Sequence, residues 1–199
     1  MTSGNDANKM RKAPGWPELL VAVILYVAGV GALGMWLLQM PESQAIFRIN
    51  VAGAINGALG FLGLLAAYAL RVRDWRAFGF RRAGMQWIWI ALGLAVFAFA
   101  LILVVEAIYF HFITEPDTQG DFKIAARDGI AAMLLLFLTS AILGPIGEEL
   151  VFRSVVASAL AKYGPWLSII GSAAIFGVIH GPSVIMLHAF LVGILLGIV

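Results

Sequence analysis

Runs of apolar residues long enough to cross a lipid bilayer follow one another along this 199-residue chain. A membrane-spanning helix needs roughly 20 such residues. The longest runs cover about residues 17–40, 49–70, 86–110 and 129–146, and shorter runs cover 151–161, 166–179 and 183–199. Only 12% of the residues are charged, against about 25% in a typical soluble domain. We therefore predict an all-α fold, a polytopic transmembrane helix bundle with about six to seven membrane helices.

Charge and cysteine content restrict the partners and the chemistry of the chain. The formal net charge of +2 is too small to indicate nucleic-acid binding. The apolar composition makes the lipid bilayer the expected surrounding. The absence of cysteine excludes disulfides, zinc–thiolate ligands and a thiol nucleophile. No cleavable signal peptide is expected, because the first apolar run is too long for the apolar region of such a peptide.

The basic residues indicate how the helices are oriented, since loops rich in lysine and arginine lie on the cytoplasmic side of a membrane. Such residues precede the first apolar run and separate the second run from the third: Lys9, Arg11, Lys12, Arg71, Arg73, Arg76, Arg81 and Arg82. We expect a multi-pass integral membrane protein with a cytoplasmic N-terminus. The fourth run then leads inward and places Glu148 and Glu149 near the inner leaflet.

Two adjacent glutamates follow the fourth apolar run. Because residues four apart share a helix face, Glu149 can form an ion pair with Arg153. Glu148 then remains as a free carboxylate that faces a cavity. The alternative interpretation is a group of charges at a helix end, whose side chains extend into interfacial water.

A histidine lies inside a later apolar run, where His180 follows Phe176 by four residues. Gly177 is on nearly the same helix face and would leave space beside the imidazole. A carboxylate and an imidazole can together activate water for hydrolysis. The alternative is an interfacial histidine, because Gly181 and Pro182 end the helix directly after it.

Two other kinds of catalytic site find little support in the sequence. A zinc site has no supporting ligand spacing: there is no His-Glu-x-x-His, and four residues would have to converge, namely Glu148, Glu149, His180 and His188. A serine protease would need a serine with a basic partner. None of the available serines lies in a Gly-x-Ser-x-Gly sequence: Ser140, Ser154 and Ser172.

The two motifs together resemble the CPBP family, which comprises CAAX-type prenyl endoproteases and the bacteriocin-processing or self-immunity proteins of the Abi family. The motifs are Glu-Glu-x-x-x-Arg at 148–153 and Phe-x-x-x-His at 176–180. The sequence Phe-x-x-Gly-x-x-x-Gly at 190–197 resembles the segment that follows the second motif. The resemblance extends over about residues 131–199.

The resemblance implies an intramembrane endopeptidase, a hydrolase, that cleaves a peptide bond near the cytoplasmic leaflet. Glu148 would be the general base that activates water, and His180 would hold the same water. Glu149 and Arg153 would support the site, and Phe176 would pack beside His180. No cofactor is implied, because the glutamate mechanism needs no zinc. The substrate would be a peptide or protein, membrane-associated or lipidated, and the location a bacterial cell membrane.

The chain accordingly divides into three parts. Residues 1–16 form a polar cytoplasmic N-terminus, and residues 17–124 form N-terminal transmembrane helices with a basic cytoplasmic loop at 71–82. Residues 125–199 form a CPBP-like catalytic membrane domain. Alternating aromatic and basic residues at 74–82 fit either a segment that binds anionic lipid or an ordinary loop beside the membrane interface.

One part of the family pattern is absent. Members carry a further motif, a histidine followed four residues later by an asparagine, which is thought to hold the developing oxyanion. His188 is followed at that distance by Val192 and does not match. We therefore expect a C-terminally truncated sequence, whose last domain is incomplete. Two other functions remain open: a non-catalytic membrane immunity or adaptor protein of the same fold, and a proton relay in a small transporter.

Overall fold

The computed structural model describes residues 13–115 and 119–198. Most of these residues lie in helices. These residues form seven helices and no strand: α1 (Trp16–Leu37), α2 (Glu42–Val72), α3 (Met85–Phe112), α4 (Gly120–Arg127), α5 (Ile130–Tyr163), α6 (Pro165–Val178) and α7 (Val184–Ile198). Helices α1, α2, α3 and α5 are long and apolar enough to span a membrane, and α6 and α7 are shorter apolar helices. The predicted all-α membrane helix bundle is confirmed. The basic cluster Lys9, Arg11 and Lys12 lies outside the described residues.

The fourth and fifth predicted apolar runs form a single helix, α5, of 34 residues. The predicted end of the fourth run at Ile146 is therefore wrong. Pro145 does not break the helix, because a stretch with π-type i→i+5 bonding, Phe137–Leu143, precedes it and shifts the hydrogen-bond register. A second such stretch, Leu150–Ala157, follows the glutamates. Glu148 thus lies near the middle of α5, about 22 Å from its C-terminal end at a rise of about 1.5 Å per residue, not at a helix end.

Glycines let α2 approach α5 closely. A Cβ at Gly57 would lie 2.6 Å from the carbonyl oxygen of Leu143, and a Cβ at Gly60 would overlap the backbone of Gly147. Gly63 lies between α1 and α5, where a Cβ would lie 3.3 Å from the oxygen of Ala22 and 3.3 Å from Cγ2 of Val151. The contact between α2 and α5 is therefore one of backbone against backbone, which fixes the two helices at the depth of the glutamates.

Helices α6 and α7 form a hairpin, in which glycines again let two helices approach each other closely. A Cβ at Gly193 would lie 2.8 Å from the Cβ of Ala173, and one at Gly197 would lie 2.9 Å from Cγ2 of Ile169. Helix α3, in contrast, has no buried residue and contacts chiefly α7. The closely packed part of the bundle therefore consists of α1, α2, α5, α6 and α7.

An ion pair between a buried glutamate and a partly exposed arginine joins α1 to the C-terminal end of α2. The Glu18 side chain is fully buried and accepts hydrogen bonds from Arg71 Nε at 2.6 Å and Arg71 Nη2 at 2.9 Å. The amide of Gly15 donates to the same carboxylate at 2.8 Å. Nearby, Trp16 Nε1 donates to the hydroxyl of Tyr163 at the end of α5. These contacts hold three helix ends together on one side of the bundle.

Candidate active site

A cavity of about 480 Å³ lies between α1, α2 and α5. Most of its wall is apolar, and the polar side chains that line it are Tyr26, Asn56, Ser140, Glu148 and His180. The cavity extends from Glu148 toward the end of the bundle that carries α4, where Phe122 forms part of its wall. It thus brings together polar groups from α1, α2, α5 and the turn after α6, in apolar surroundings.

Glu148 is held by a side chain from α2. Asn56 Nδ2 donates a hydrogen bond to Glu148 Oε1 at 2.9 Å, and the Tyr26 hydroxyl donates to Asn56 Oδ1 at 2.5 Å. The Tyr26 hydroxyl also lies within hydrogen-bonding reach of the Glu148 carboxyl. Neither Tyr26 nor Asn56 was predicted from the sequence as a site residue. The signal that could have found them is an amide and a phenol in the middle of membrane-length apolar runs, because polar groups at that depth need a partner.

His180 lies in the turn that follows α6, and it lines the same cavity as Glu148. Its Nδ1 is 2.8 Å from the carbonyl oxygen of Phe176. Because a carbonyl oxygen can only accept, Nδ1 carries the proton, and Nε2 of the neutral ring is an acceptor. The turn ends with Gly181 at a φ of +71°, a conformation that favours glycine.

A row of aromatic rings packs behind the polar groups. Phe152 contacts the Tyr26 ring edge-on at a centroid distance of 5.5 Å and the Phe176 ring at 5.0 Å. Phe176 in turn contacts the His180 ring edge-on at 4.9 Å. Phe152 is completely buried. The row therefore connects α1, α5 and α6 and limits the movement of the imidazole.

Arg153 connects the second glutamate to α6. Its Nε lies 3.6 Å from Glu149 Oε2, and its Nη1 donates to the Ser172 hydroxyl at 3.0 Å. The guanidinium carbon also lies 5.8 Å from the centre of the Phe176 ring. Glu149 does not line the cavity that Glu148 lines. The two adjacent carboxylates thus face different surroundings, in agreement with their helical phase.

One other sequence expectation ends differently, and His188 lies apart from the site. Gly177 was expected to leave space beside the imidazole, but it packs against α7, where a Cβ would lie 3.1 Å from the carbonyl oxygen of Met186. His188 does not join the site: its Nε2 lies 4.0 Å from Glu106 of α3. Within the described ranges, no group of three or more histidine and acidic side chains converges to hold a metal ion.

Comparison with known proteins identifies the part of the chain that carries both motifs. The family model described as type II CAAX prenyl endopeptidase Rce1-like matches residues 130–199. This match confirms the predicted family resemblance for that segment, and because the family is one of proteases it supports a hydrolase in general. Together with the apolar helices, it fits an integral membrane protein. No curated protein and no solved structure matches the chain significantly.

Proposed function

We propose that the chain is an intramembrane endopeptidase of the CAAX-protease type, in which Glu148 is the general base. The observation that carries this proposal is the meeting of Glu148 and His180 in one mostly apolar cavity, although α5 and the turn after α6 supply them separately. The match of residues 130–199 to a protease family supports the same reaction class. Water held in such a site would be shielded from bulk solvent, which strengthens its polar interactions.

The proposed reaction begins with a water molecule between Glu148 Oε2 and His180 Nε2. Nε2 accepts one hydrogen bond from this water, while Glu148 takes the other proton as the water oxygen attacks the peptide carbonyl carbon. The tetrahedral intermediate collapses when Glu148 returns that proton to the departing nitrogen. The carbon–nitrogen bond breaks and gives a carboxylic acid and an amine, which become a carboxylate and an ammonium ion when the acid proton moves to the nitrogen. No step of the proposed reaction is assigned to a metal or cofactor.

The remaining predicted site residues support this arrangement from behind. Arg153 lies close to Glu149 and bonds to Ser172, so it fixes α5 against α6 at the depth of the site. Phe176 provides the carbonyl that sets the His180 tautomer and the ring that limits its rotation. We assign structural roles to Glu149, Arg153 and Phe176 and catalytic roles to Glu148 and His180.

The proposed substrate is a peptide or protein that is associated with the membrane or carries a lipid. An apolar cavity within the bundle suits a substrate whose flanking part is itself apolar. Glu148 lies near the middle of α5, and we propose that the peptide bond is cleaved within the apolar part of the bundle. We also propose a bacterial cell membrane as the location, with the N-terminus and the arginine-rich loop at 71–82 in the cytoplasm.

The proposal is tested with the full-length protein in lipid nanodiscs and with two peptides. One ends in a farnesylated Cys-aliphatic-aliphatic-X sequence, and the other is the same peptide without the lipid. Incubation in H₂¹⁸O should produce two fragments from at least one peptide, with one ¹⁸O atom in the new carboxylate. Faster cleavage of the farnesylated peptide would show that the lipid is recognised. A folded protein that cleaves neither peptide would contradict the proposal and favour the non-catalytic alternative.

A further inference from the structure

We infer that Tyr26 and Asn56 are positioning residues of this site: they orient the Glu148 carboxylate so that one of its oxygens remains available for water. The inference rests on the proposed function. It adds two helices, α1 and α2, that lie outside the segment matched to the protease family. The juxtaposition that carries it is a continuous hydrogen-bonded chain from the Tyr26 hydroxyl through the Asn56 amide to Glu148 Oε1.

The first link holds the asparagine amide at its oxygen. The Tyr26 hydroxyl donates to Asn56 Oδ1, and the amide nitrogen faces Glu148. The reverse orientation would place Oδ1 against the Glu148 carboxylate, where two acceptors would meet without a proton. Tyr26 is itself held in place, because its side chain is 2% exposed and its ring packs on Phe152. The acceptor-only carboxylate therefore determines which amide atom it meets, and the rigid phenol holds the amide at its oxygen.

The second link distinguishes the two oxygens of the carboxylate. Asn56 Nδ2 donates to Oε1 at 2.9 Å, and a carboxylate held at one oxygen cannot rotate freely about its terminal bond. Oε2 then keeps its lone pairs for a proton acquired from water. Since a general base must lie within hydrogen-bond reach of the proton that it abstracts, a fixed carboxylate plane is a requirement of the reaction. Asn56 supplies that restraint without becoming a base itself.

A second asparagine on α2 shows that packing alone does not explain Asn56. Asn50 also bridges α2 to α5, since its Oδ1 accepts from the Thr139 hydroxyl at 2.8 Å and its Nδ2 donates to the Ile46 carbonyl at 2.7 Å. Asn50 does not line the cavity and does not contact Glu148. The two asparagines thus make comparable contacts between helices, but only Asn56 reaches the carboxylate. Asn50 is the matched control.

The inference predicts a specific kinetic effect of Asn56→Leu and Tyr26→Phe on cleavage of the peptide that the native protein hydrolyses. Both changes should lower kcat by roughly 10- to 100-fold and leave KM almost unchanged, because a small misplacement of a reacting group has costs of that order. In the Asn56→Leu background, Tyr26→Phe should cost less than it does alone, because the part of its effect that passes through the amide is already lost. Asn50→Leu should lower thermal stability but not kcat.

An infrared measurement separates failure of this inference from failure of the proposed function. The difference spectrum between the native protein and Glu148→Gln contains the carboxylate stretching bands of Glu148. Asn56→Leu should shift these bands, and Asn50→Leu should not. If Glu148→Gln were fully active, the proposed function would fail, whatever the bands showed. If Asn56→Leu left both the bands and kcat of a cleaving enzyme unchanged, or if the kinetic losses were fully additive, the positioning role would be wrong.

Discussion

Asn56 Nδ2 donates to Glu148 Oε1 at 2.9 Å, so α2 restrains the carboxylate that α5 carries. Close packing of α2 on α5 makes this contact feasible, because Gly57 and Gly60 bring the two backbones together within two turns of Asn56. The N-terminal helices are thus part of the polar cluster, in addition to being membrane spans. A protein reduced to the segment 130–199 would lack the partner of its proposed base.

His180→Ala should lower kcat for peptide cleavage by roughly 100-fold or more, which is the scale of a lost acid–base or water-positioning group. The physical reason is the loss of Nε2, the acceptor that the bond between Nδ1 and the Phe176 carbonyl leaves available. Steady-state kinetics in nanodiscs measure the effect. His188→Ala is the matched control, because His188 faces Glu106 of α3 and not the cavity. Equal losses in both variants would argue against a specific role for His180.

Gly60→Ala should destabilise the bundle, because the added Cβ would overlap the backbone of Gly147 on α5. Overpacking of this kind costs about 1–3 kcal/mol, and more where the neighbouring atoms belong to the backbone. The free energy of unfolding in mixed detergent micelles, followed by circular dichroism, gives the magnitude. Gly93→Ala on α3 is the control, since a Cβ at Gly93 meets no atom within 4 Å. Unchanged stability of Gly60→Ala would contradict the close contact.

Arg71→Met should lower the thermal unfolding temperature, because the fully buried Glu18 would lose its bidentate partner. A buried charge without a partner is strongly destabilising, whereas removal of both charges is often tolerated. The double variant with Glu18→Met should therefore recover part of the loss. Differential scanning fluorimetry in detergent measures all variants, with Arg76→Met, from the segment that follows α2, as a control. A double variant less stable than Arg71→Met alone would show that the pair does not act as described.

The sequence predicted the fold class well but misplaced one boundary. Apolar runs of membrane length identify helices almost independently of tertiary contacts, because lipid requires every backbone group to be bonded within the helix. The failure was at Pro145, where a helix end was expected nearby and α5 continues. A single sequence does not reveal that π-type turns before the proline accommodate the lost hydrogen bond. This missed continuation is also why Glu148 was expected at the end of the fourth apolar run and not near the middle of α5.

The candidate site could be predicted only as far as sequence motifs extend. Spacing of four residues was enough to place Glu149 near Arg153, and the apolar surroundings drew attention to Glu148 and His180. Tyr26 and Asn56 lie on helices that are distant in sequence, and no local pattern connects them to Glu148. Their contact depends on how α1 and α2 pack against α5, which is a tertiary property.

The most direct measurement compares kcat of the native protein, Glu148→Gln and Glu149→Gln on the cleaved peptide, in nanodiscs. Glutamine keeps the size of the side chain but cannot take a proton from water. We predict that Glu148→Gln lowers kcat by roughly 10²- to 10⁴-fold, the usual contribution of a general base. Glu149→Gln should retain most of the activity, because Glu149 does not line the cavity. Native-like cleavage by Glu148→Gln would contradict the assignment of Glu148 as the base.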